Sequence, residues 1–513
     1  MLLNRMLIRN ATFRARLTAT VDEGRVRTWA EFADRVARLA GAMRELGVGV
    51  GDRVAAFGLN TDRYLEAQFA TWWLGAVWTP MNTRWSEEEN RLGIEDADIS
   101  LAFTDMAMRP AALAAVWQGK GVPVIVMDGG ADERLDHDRL IETTAPIAPA
   151  DIGEDALAGV YFTGGTTGRS KGVMLTHQAI WCNSLAFQAV LGLTDRSSYL
   201  HAAPMFHLAD GAMSSAAVMA GAAHHFVAAF RPDLVLAAIR DRRLTHALMV
   251  PTMIEMLIAA PEFSAEAVAP LEYLAFGGSP STQAAQERMI AALPGALLLH
   301  VYGQSEMGPG VSALEPERQK IGDPKMRSVG RPISLADVRI VRADGGEAAV
   351  NEPGEIWARS PGQMAGYWRR PEETARALVD GWVRTGDIAY VDDDGYLYIC
   401  DRAKDMIISG GENVFSAEVE RVISLHPAVA MCAVIGVPDP LFGESVHAVL
   451  VLKEEGSIDQ AELFAHCRKH IAGYKCPRSI EVREALPISG PGKIQKQTLR
   501  EAYWPKPGAA AAR

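Results

Sequence analysis

Tyr161-Phe162-Thr163-Gly164-Gly165-Thr166-Thr167-Gly168-Arg169-Ser170-Lys171-Gly172 is the segment on which the reading of this chain turns. It follows an apolar, strand-like run and leads into Val173-Met174-Leu175, which is strand-like again. Four glycines open backbone conformations closed to other residues, so successive N–H groups can converge on one anion. The hydroxyls of Thr163, Thr166 and Thr167 add donors, and Lys171 adds a point charge. The segment therefore reads as a phosphate cradle. It is not the G-x-x-x-x-G-K-[ST] loop, because Ser170 precedes the lysine and Gly172 follows it. A Gly/Thr-rich surface hairpin is the plain alternative, but four glycines, four hydroxyl residues and a lysine within ten positions favour the cradle.

Around this loop the first four hundred residues alternate helical and strand patterns. Thr28 and Glu31 make a capping box, Phe32, Val36, Leu39, Met43 and Leu46 follow at helical spacing, and Gly47 is placed to end that helix. Val54–Phe57, Leu101–Phe103 and Val122–Met127 read as strands, and 61–75 as a helix. Short apolar strands between amphipathic helices predict parallel-rich sheets covered by helices, with ligands outside the carboxyl ends of the strands. Composition shifts near residue 400, at the charged knot Asp401-Arg-Ala-Lys-Asp405. A smaller α+β pattern follows, with helices at 416–425 and 459–471 and strands at Val429–Ile435 and Val446–Leu452. The expected fold is α/β: a large N-terminal domain over 1–400, a hinge at 401–404, and a small, mobile α+β domain over 405–513.

Composition narrows the function. A 513-residue chain, 49% apolar and 22% charged, is globular and exceeds one ordinary core. A net charge of −12 argues against nucleic acid as a partner, since a phosphate backbone wants a basic face. Cys182, Cys400, Cys432, Cys467 and Cys476 are odd in number and scattered, which suits a reducing compartment. Asn4 and Arg5 interrupt the first apolar run, and no stretch is long enough to span a membrane. The cytoplasm is the expected compartment. An oligomer is allowed, a dimer being the simplest.

The loop resembles the signature of the adenylate-forming enzymes, the superfamily of acyl-CoA synthetases, peptide-synthetase adenylation domains and firefly luciferase. Its usual form is [ST]-[SG]-G-T-T-G-x-P-K-G; Ser170 stands where proline is typical and Gly164 where serine is common. Both departures leave the backbone cradle intact and are expected to change affinity only. Further motifs follow in the superfamily's order over residues 20–500. Pro204-Met-Phe-His207 resembles the segment whose histidine lines the acid pocket, although His207 taken alone reads as a core residue. Phe276-Gly277-Gly278-Ser279-Pro280 and Tyr302-Gly303-Gln304-Ser305-Glu306 resemble the two strand-end segments that hold the adenylate. The resemblance gives Tyr302 the adenine, Ser305 the α-phosphate and Glu306, with Thr167, the Mg²⁺. A flat ring, a hydroxyl and a hard carboxylate suit those tasks. Asp380-Gly-Trp-Val-Arg-Thr-Gly-Asp387 is similar to the ribose segment, Arg402 to an arginine that contacts ribose or phosphate, and Lys404 to the hinge residue. Pro487-Ile-Ser-Gly-Pro-Gly-Lys493 matches the closing motif, whose lysine bridges acid and ATP phosphates.

What the resemblance implies is an ATP-dependent acyl-CoA synthetase. The acid attacks the α-phosphate of ATP, pyrophosphate leaves, and the acyl-adenylate passes its acyl group to coenzyme A. Lys493, Mg²⁺, the loop N–H groups and Ser305 would stabilise the first transition state. The small domain would then turn about Lys404, withdrawing Lys493 and bringing Gly410 and Gly411 to a pantetheine tunnel. Acid-pocket candidates are His207, Leu208, Ala209, Gly211, Met249, Phe276, Gly277 and Gln304, mostly small or apolar, which points to a fatty or related aliphatic acid; an aromatic acid is the alternative. Asp210 offers a carboxylate that could meet a cationic group on the substrate, or, beside an anionic acid, one that is turned away from it. Competing readings are an enzyme loading a carrier protein in trans, a luciferase-like oxygenase, and a nucleotide-binding protein without turnover.

Overall fold

Thr28 accepts from the Glu31 amide and Glu31 reaches back to the Thr28 amide, so the capping box starts helix Trp29–Glu45 as expected. Its apolar stripe, Trp29, Phe32, Val36, Leu39 and Met43, is fully buried and packs beside helix Asp62–Trp73. That second helix is joined to a sheet by a hydrogen bond from the Trp72 indole N–H to the Ala158 carbonyl, 2.8 Å long. The computed structural model describes residues 1–116, 121–129, 135–163, 170–279, 281–410, 412–453, 456–488 and 494–504.

Two parallel-rich sheets carry the first three hundred residues. The larger has nine strands in the order 331–332, 310–314, 297–303, 273–277, 246–249, 198–201, 223–226, 18–22 and 25–28. Its central pairs are parallel and its two margins antiparallel. The second has seven strands in the order 366–367, 171–176, 157–163, 77–80, 53–57, 99–104 and 124–126. The strands expected around Val54, Leu101 and Val122 all lie in it, the last shortened to Val124–Val126.

Parallel alternation does not continue to residue 400. Residues 337–402 form a five-stranded antiparallel sheet of strands 337–341, 354–359, 382–391, 378–379 and 397–402. The cause is turn chemistry: Asp344-Gly345-Gly346 and Asp394-Gly395 place glycines at φ +85° and +82°, which fold strands back as hairpins. On this sheet the Arg339 guanidinium lies between the Trp357 and Trp382 rings, 4.8 and 4.4 Å from their centroids.

The fourth sheet uses only residues after 406: strands 412–414, 407–409, 443–452, 429–439 and 479–482. Helices Ser416–Ile423 and Gln460–Arg468 bury Val419, Val422, Ile423 and Leu463 against it. A hydrogen-bonded contact joins its first helix to the preceding sheet. Buried Asp401, on strand Leu397–Arg402, accepts from the Ser416 amide and, at 2.7 Å, from the Ser416 hydroxyl. Lys496 donates to that hydroxyl at 2.7 Å and pairs with Glu420 at 2.8 Å. Among the described residues no helix is long and apolar enough to cross a membrane.

Candidate functional site

Strands Leu157–Thr163 and Lys171–Thr176 pair antiparallel with Thr163 opposite Lys171, and the Thr163 hydroxyl donates to the Lys171 carbonyl at 3.3 Å. The glycine-rich segment thus links the carboxyl end of one strand to the start of its antiparallel neighbour in sequence. Gly164, Gly165, Thr166, Thr167 and Gly168 lie outside the described residues, as do Gly411 and Lys493.

Lys171 marks the exit of that segment. Its ammonium lies 5.2 Å from the centroid of the Tyr367 ring. The Tyr367 hydroxyl donates to Glu306 Oε1 at 2.8 Å, and the Met364 amide donates to the Glu306 carbonyl at 2.8 Å. Burial, and then the adjacent Glu306 charge, push the Tyr367 phenol well above its usual range, so it remains a donor. Glu306 sits in the single turn Ser305–Met307, which Gln304 precedes at the end of strand Leu297–Gly303. Its Oε2 makes no hydrogen bond among the described residues. A hard carboxylate with one oxygen fixed and the other uncommitted fits a hard divalent cation.

Four residues upstream, the Tyr302 hydroxyl donates to Asp387 Oδ2 at 2.7 Å, while Arg402 Nε stands 3.4 Å from Asp387 Oδ1. Asp387 and Arg402 are cross-strand neighbours, and Asp387 is buried. Three expected adenosine residues, 100 positions apart in sequence, therefore meet. Burial and the Asp387 charge hold the Tyr302 phenol far above its ordinary value. The tyrosine is thus tied to the acid expected to take ribose. The other strand end lies alongside, with Gly277 opposite Val301. A Cβ at Gly303 would stand 1.6 Å from the Pro309 carbonyl oxygen, and one at Gly277 2.1 Å from that of Val301. Only glycine permits that approach. Gly278 adopts φ +74°, and Ser279 follows it, half-buried.

His207 is the N-cap residue of helix Leu208–Ala220, its ring 4.4 Å from that of Phe206. Ala209 is half-buried on that helix and Leu208 is in the core. Phe276, expected at the pocket wall, is 1% exposed and stacks on His300 at 4.7 Å, so its ring braces the core. Asp210 does not face a substrate cation. It is fully buried, accepting from the Tyr199 hydroxyl at 2.9 Å and contacting His201 Nδ1 at 2.6 Å. His201 Nε2 reaches His224 Nδ1 at 2.9 Å, and burial keeps His224 well below the usual imidazole pKa. A carboxylate on so apolar a helix needs such partners.

Lys404 follows strand Leu397–Arg402, and its carbonyl accepts from Arg500 at 2.5 Å. Gly410 adopts φ +63°, and its amide donates to the Phe442 carbonyl at 2.8 Å. Among the described residues no hydrogen bond joins Lys404 or Gly410 to Tyr302, Glu306 or Asp387. The sequence reading missed Tyr367, Tyr199, His201 and His224; the adjacent histidines His224-His225 in an apolar run were the signal available for the last group.

The family model for AMP-binding enzymes matches residues 7–368, and that for the AMP-binding enzyme C-terminal domain matches 418–493. The chain is similar to a feruloyl-CoA synthase of an Amycolatopsis species, 38% identical over 97% of this chain and 98% of that protein. It is similar to a long-chain-fatty-acid–CoA ligase of Mycobacterium tuberculosis, 33% identical over 97% of this chain and 98% of that one. Among solved structures, ATP-bound MatB from Rhodopseudomonas palustris matches with a TM-score of 0.89 at 30% identity, covering 98% of this chain and 99% of that one. The chain belongs to the AMP-binding enzymes of the adenylate-forming superfamily, as an AMP-forming acid–thiol ligase of the acyl-CoA synthetase type.

Proposed function

We propose that this ligase adenylates a hydrophobic monocarboxylic acid, within that class an aromatic acid of the hydroxycinnamate type, and passes the acyl group to coenzyme A. The observation that carries the ATP half is the convergence of two constellations: Tyr302 with Asp387 and Arg402, and Glu306 with Tyr367 and Lys171. The first suits a nucleoside, with a ring to stack and a carboxylate to accept from ribose once the tyrosine hydroxyl yields an oxygen. The second suits a triphosphate. A carboxylate resists nucleophiles until its oxygen becomes part of a leaving group, and transfer to AMP supplies that. Lys171, the turn amides, Ser305 and Lys493 would hold the phosphate and carboxylate charge while His207 orients the acid. Glu306 and Thr167 would hold a Mg²⁺, which supplies further charge neutralisation.

The domain division at 401–404, rotation about Lys404 and a pantetheine path beside Gly410 and Gly411 belong to the same proposal. The antiparallel register that ends at Arg402 and the sheet that begins at Ile407 support it. The aromatic choice rests on the feruloyl-CoA synthase relative at 38% identity, against 33% for the fatty-acid ligase. Small Ala209, Gly211 and Gly277, with the Phe206–His207 ring pair, suit a flat group. A fatty acid is the second reading, favoured by the Mycobacterium relative. The deciding experiment is pyrophosphate release with acids from acetate to palmitate, plus benzoate and cinnamates. Cinnamates should give the highest kcat/KM; a maximum at palmitate selects the second reading, and release with no acid refutes both. Lys493→Ala should abolish adenylate formation, and free coenzyme A should outperform an acyl-carrier protein as acceptor.

A further inference from the structure

Residues 364–368 form a strap across two motifs that are far apart in sequence. Gly366 and Tyr367 pair with Met174 and Val173, on the strand leaving the phosphate turn. The Ala365 amide donates to Met174 at 2.9 Å and the Trp368 amide to Gly172 at 2.7 Å. On the other side the Met364 amide donates to the Glu306 carbonyl. The Tyr367 amide is bound by Thr374 Oγ1 at 2.9 Å, and the Trp368 indole N–H donates to the Asp96 carbonyl at 2.9 Å. These bonds fix the main chain that carries the ring without using its hydroxyl.

What the hydroxyl and ring do is touch two unneutralised charges. Among the described residues Lys171 has no carboxylate within ion-pair range, and Glu306 has no cation. Opposite charges that share one neighbour without pairing are each left for a charge from elsewhere. We infer that Tyr367 is a positioning residue for ATP: its hydroxyl holds one Glu306 oxygen so that the other faces the cation, and its ring seats the Lys171 ammonium beside the phosphates. The first arm rests on the reading of Glu306 as the cation ligand. Second-sphere partners of this kind are worth roughly 10–100-fold in metal affinity.

The two arms separate by substitution. Tyr367→Phe keeps the ring and loses the hydroxyl; Tyr367→Leu loses both. Binding of α,β-methylene-ATP to the full chain is measured calorimetrically with Mg²⁺ and with EDTA, alongside the thermal midpoint. For Tyr367→Phe the Mg²⁺-supported Kd should weaken about tenfold, the loss expected for one hydrogen bond to a charged group, with the EDTA Kd unchanged and the midpoint lowered only by the loss of that one bond. For Tyr367→Leu both Kd values should weaken. A Tyr367→Phe chain with unchanged Mg²⁺-supported binding, or with equal losses in Mg²⁺ and EDTA, overturns the inference. A Tyr367→Leu chain that binds in EDTA like Tyr367→Phe overturns the lysine arm. Glu306→Gln is the control: if it leaves the Mg²⁺ advantage intact, the reading of Glu306 fails with it. If it removes that advantage while Tyr367→Phe does not, the tyrosine inference alone falls.

Discussion

Glu66 sits on helix Asp62–Trp73 with no exposure to solvent. It accepts from Arg35 Nε at 2.6 Å and Nη2 at 3.0 Å, and contacts His137 Nε2 at 2.8 Å. Burial alone would raise its pKa, but the His137 and Arg35 hydrogen bonds more than reverse this, from an ordinary 4.5 to about 2. The folded value lies below the unfolded one, so the stabilisation is complete above pH 4.5 and fades as pH falls from there through about 2. At about 1.4 kcal/mol per unit, the shift is worth about 3 kcal/mol. Glu66→Gln keeps the shape but cannot satisfy both Arg35 donors, and leaves that half-buried guanidinium with Asp138 in place of two carboxylates. It should cost about 3 kcal/mol at pH 7. Urea unfolding followed by the fluorescence of Trp29, Trp72 and Trp78, all buried, reads this at a series of pH values. The gap between wild type and variant should hold from pH 7 to about 5 and then narrow towards pH 3. Asp138, also held low by Arg63 and Arg35, titrates in both chains and cancels to first order. A gap that stays constant to pH 3, or widens, would refute the reasoning.

Gly303→Ala drives a methyl into the Pro309 carbonyl and shifts Tyr302 and Glu306 together; pyrophosphate release should fall by at least about 10²-fold with far-UV circular dichroism unchanged. Tyr302→Phe removes the 2.7 Å bond to Asp387 and should lower stability in urea by about 1.5 kcal/mol, while raising the ATP KM less than Asp387→Asn does. Gly410→Ala meets φ +63° and a Phe442 ring carbon 3.1 Å from the new methyl. It should cost about 1 kcal/mol and slow thioester formation more than adenylation in single-turnover assays.

Local signals in the sequence carried well where the physics was local. The Thr28–Glu31 box needs only i and i+3, and the stripe from Phe32 to Met43 needs only one helix period. Thr163 and Lys171, read as one cradle, are cross-strand partners. Long-range contacts were legible only through the motif series, as with Tyr302, Asp387 and Arg402. Tyr367 belongs to a strand two residues long, too short to show a period, and its partner lies 61 positions away. Asp210 is a lone acid in an apolar helix. Whether such a group faces solvent, substrate or core depends on Tyr199 and His201, which a neighbouring strand supplies. The antiparallel sheet after residue 336 had a local signature that the reading passed over: charged and apolar residues alternate in Asp337–Val341 and Gly354–Arg359, and an Asp-Gly turn follows each of Asp337–Val341 and Trp382–Val391.

The contact between Asp401 and Ser416 spans the proposed pivot at Lys404, one partner upstream and one downstream. A swing of the last hundred residues would pull a buried anion from the first amide of a helix, leaving both groups to find water. In the proposed rotation the bond would act as a detent, giving the swivel one preferred resting angle. Asp401→Asn would loosen that angle and redistribute the enzyme between its two half-reactions, with every residue that meets ATP or acid left in place.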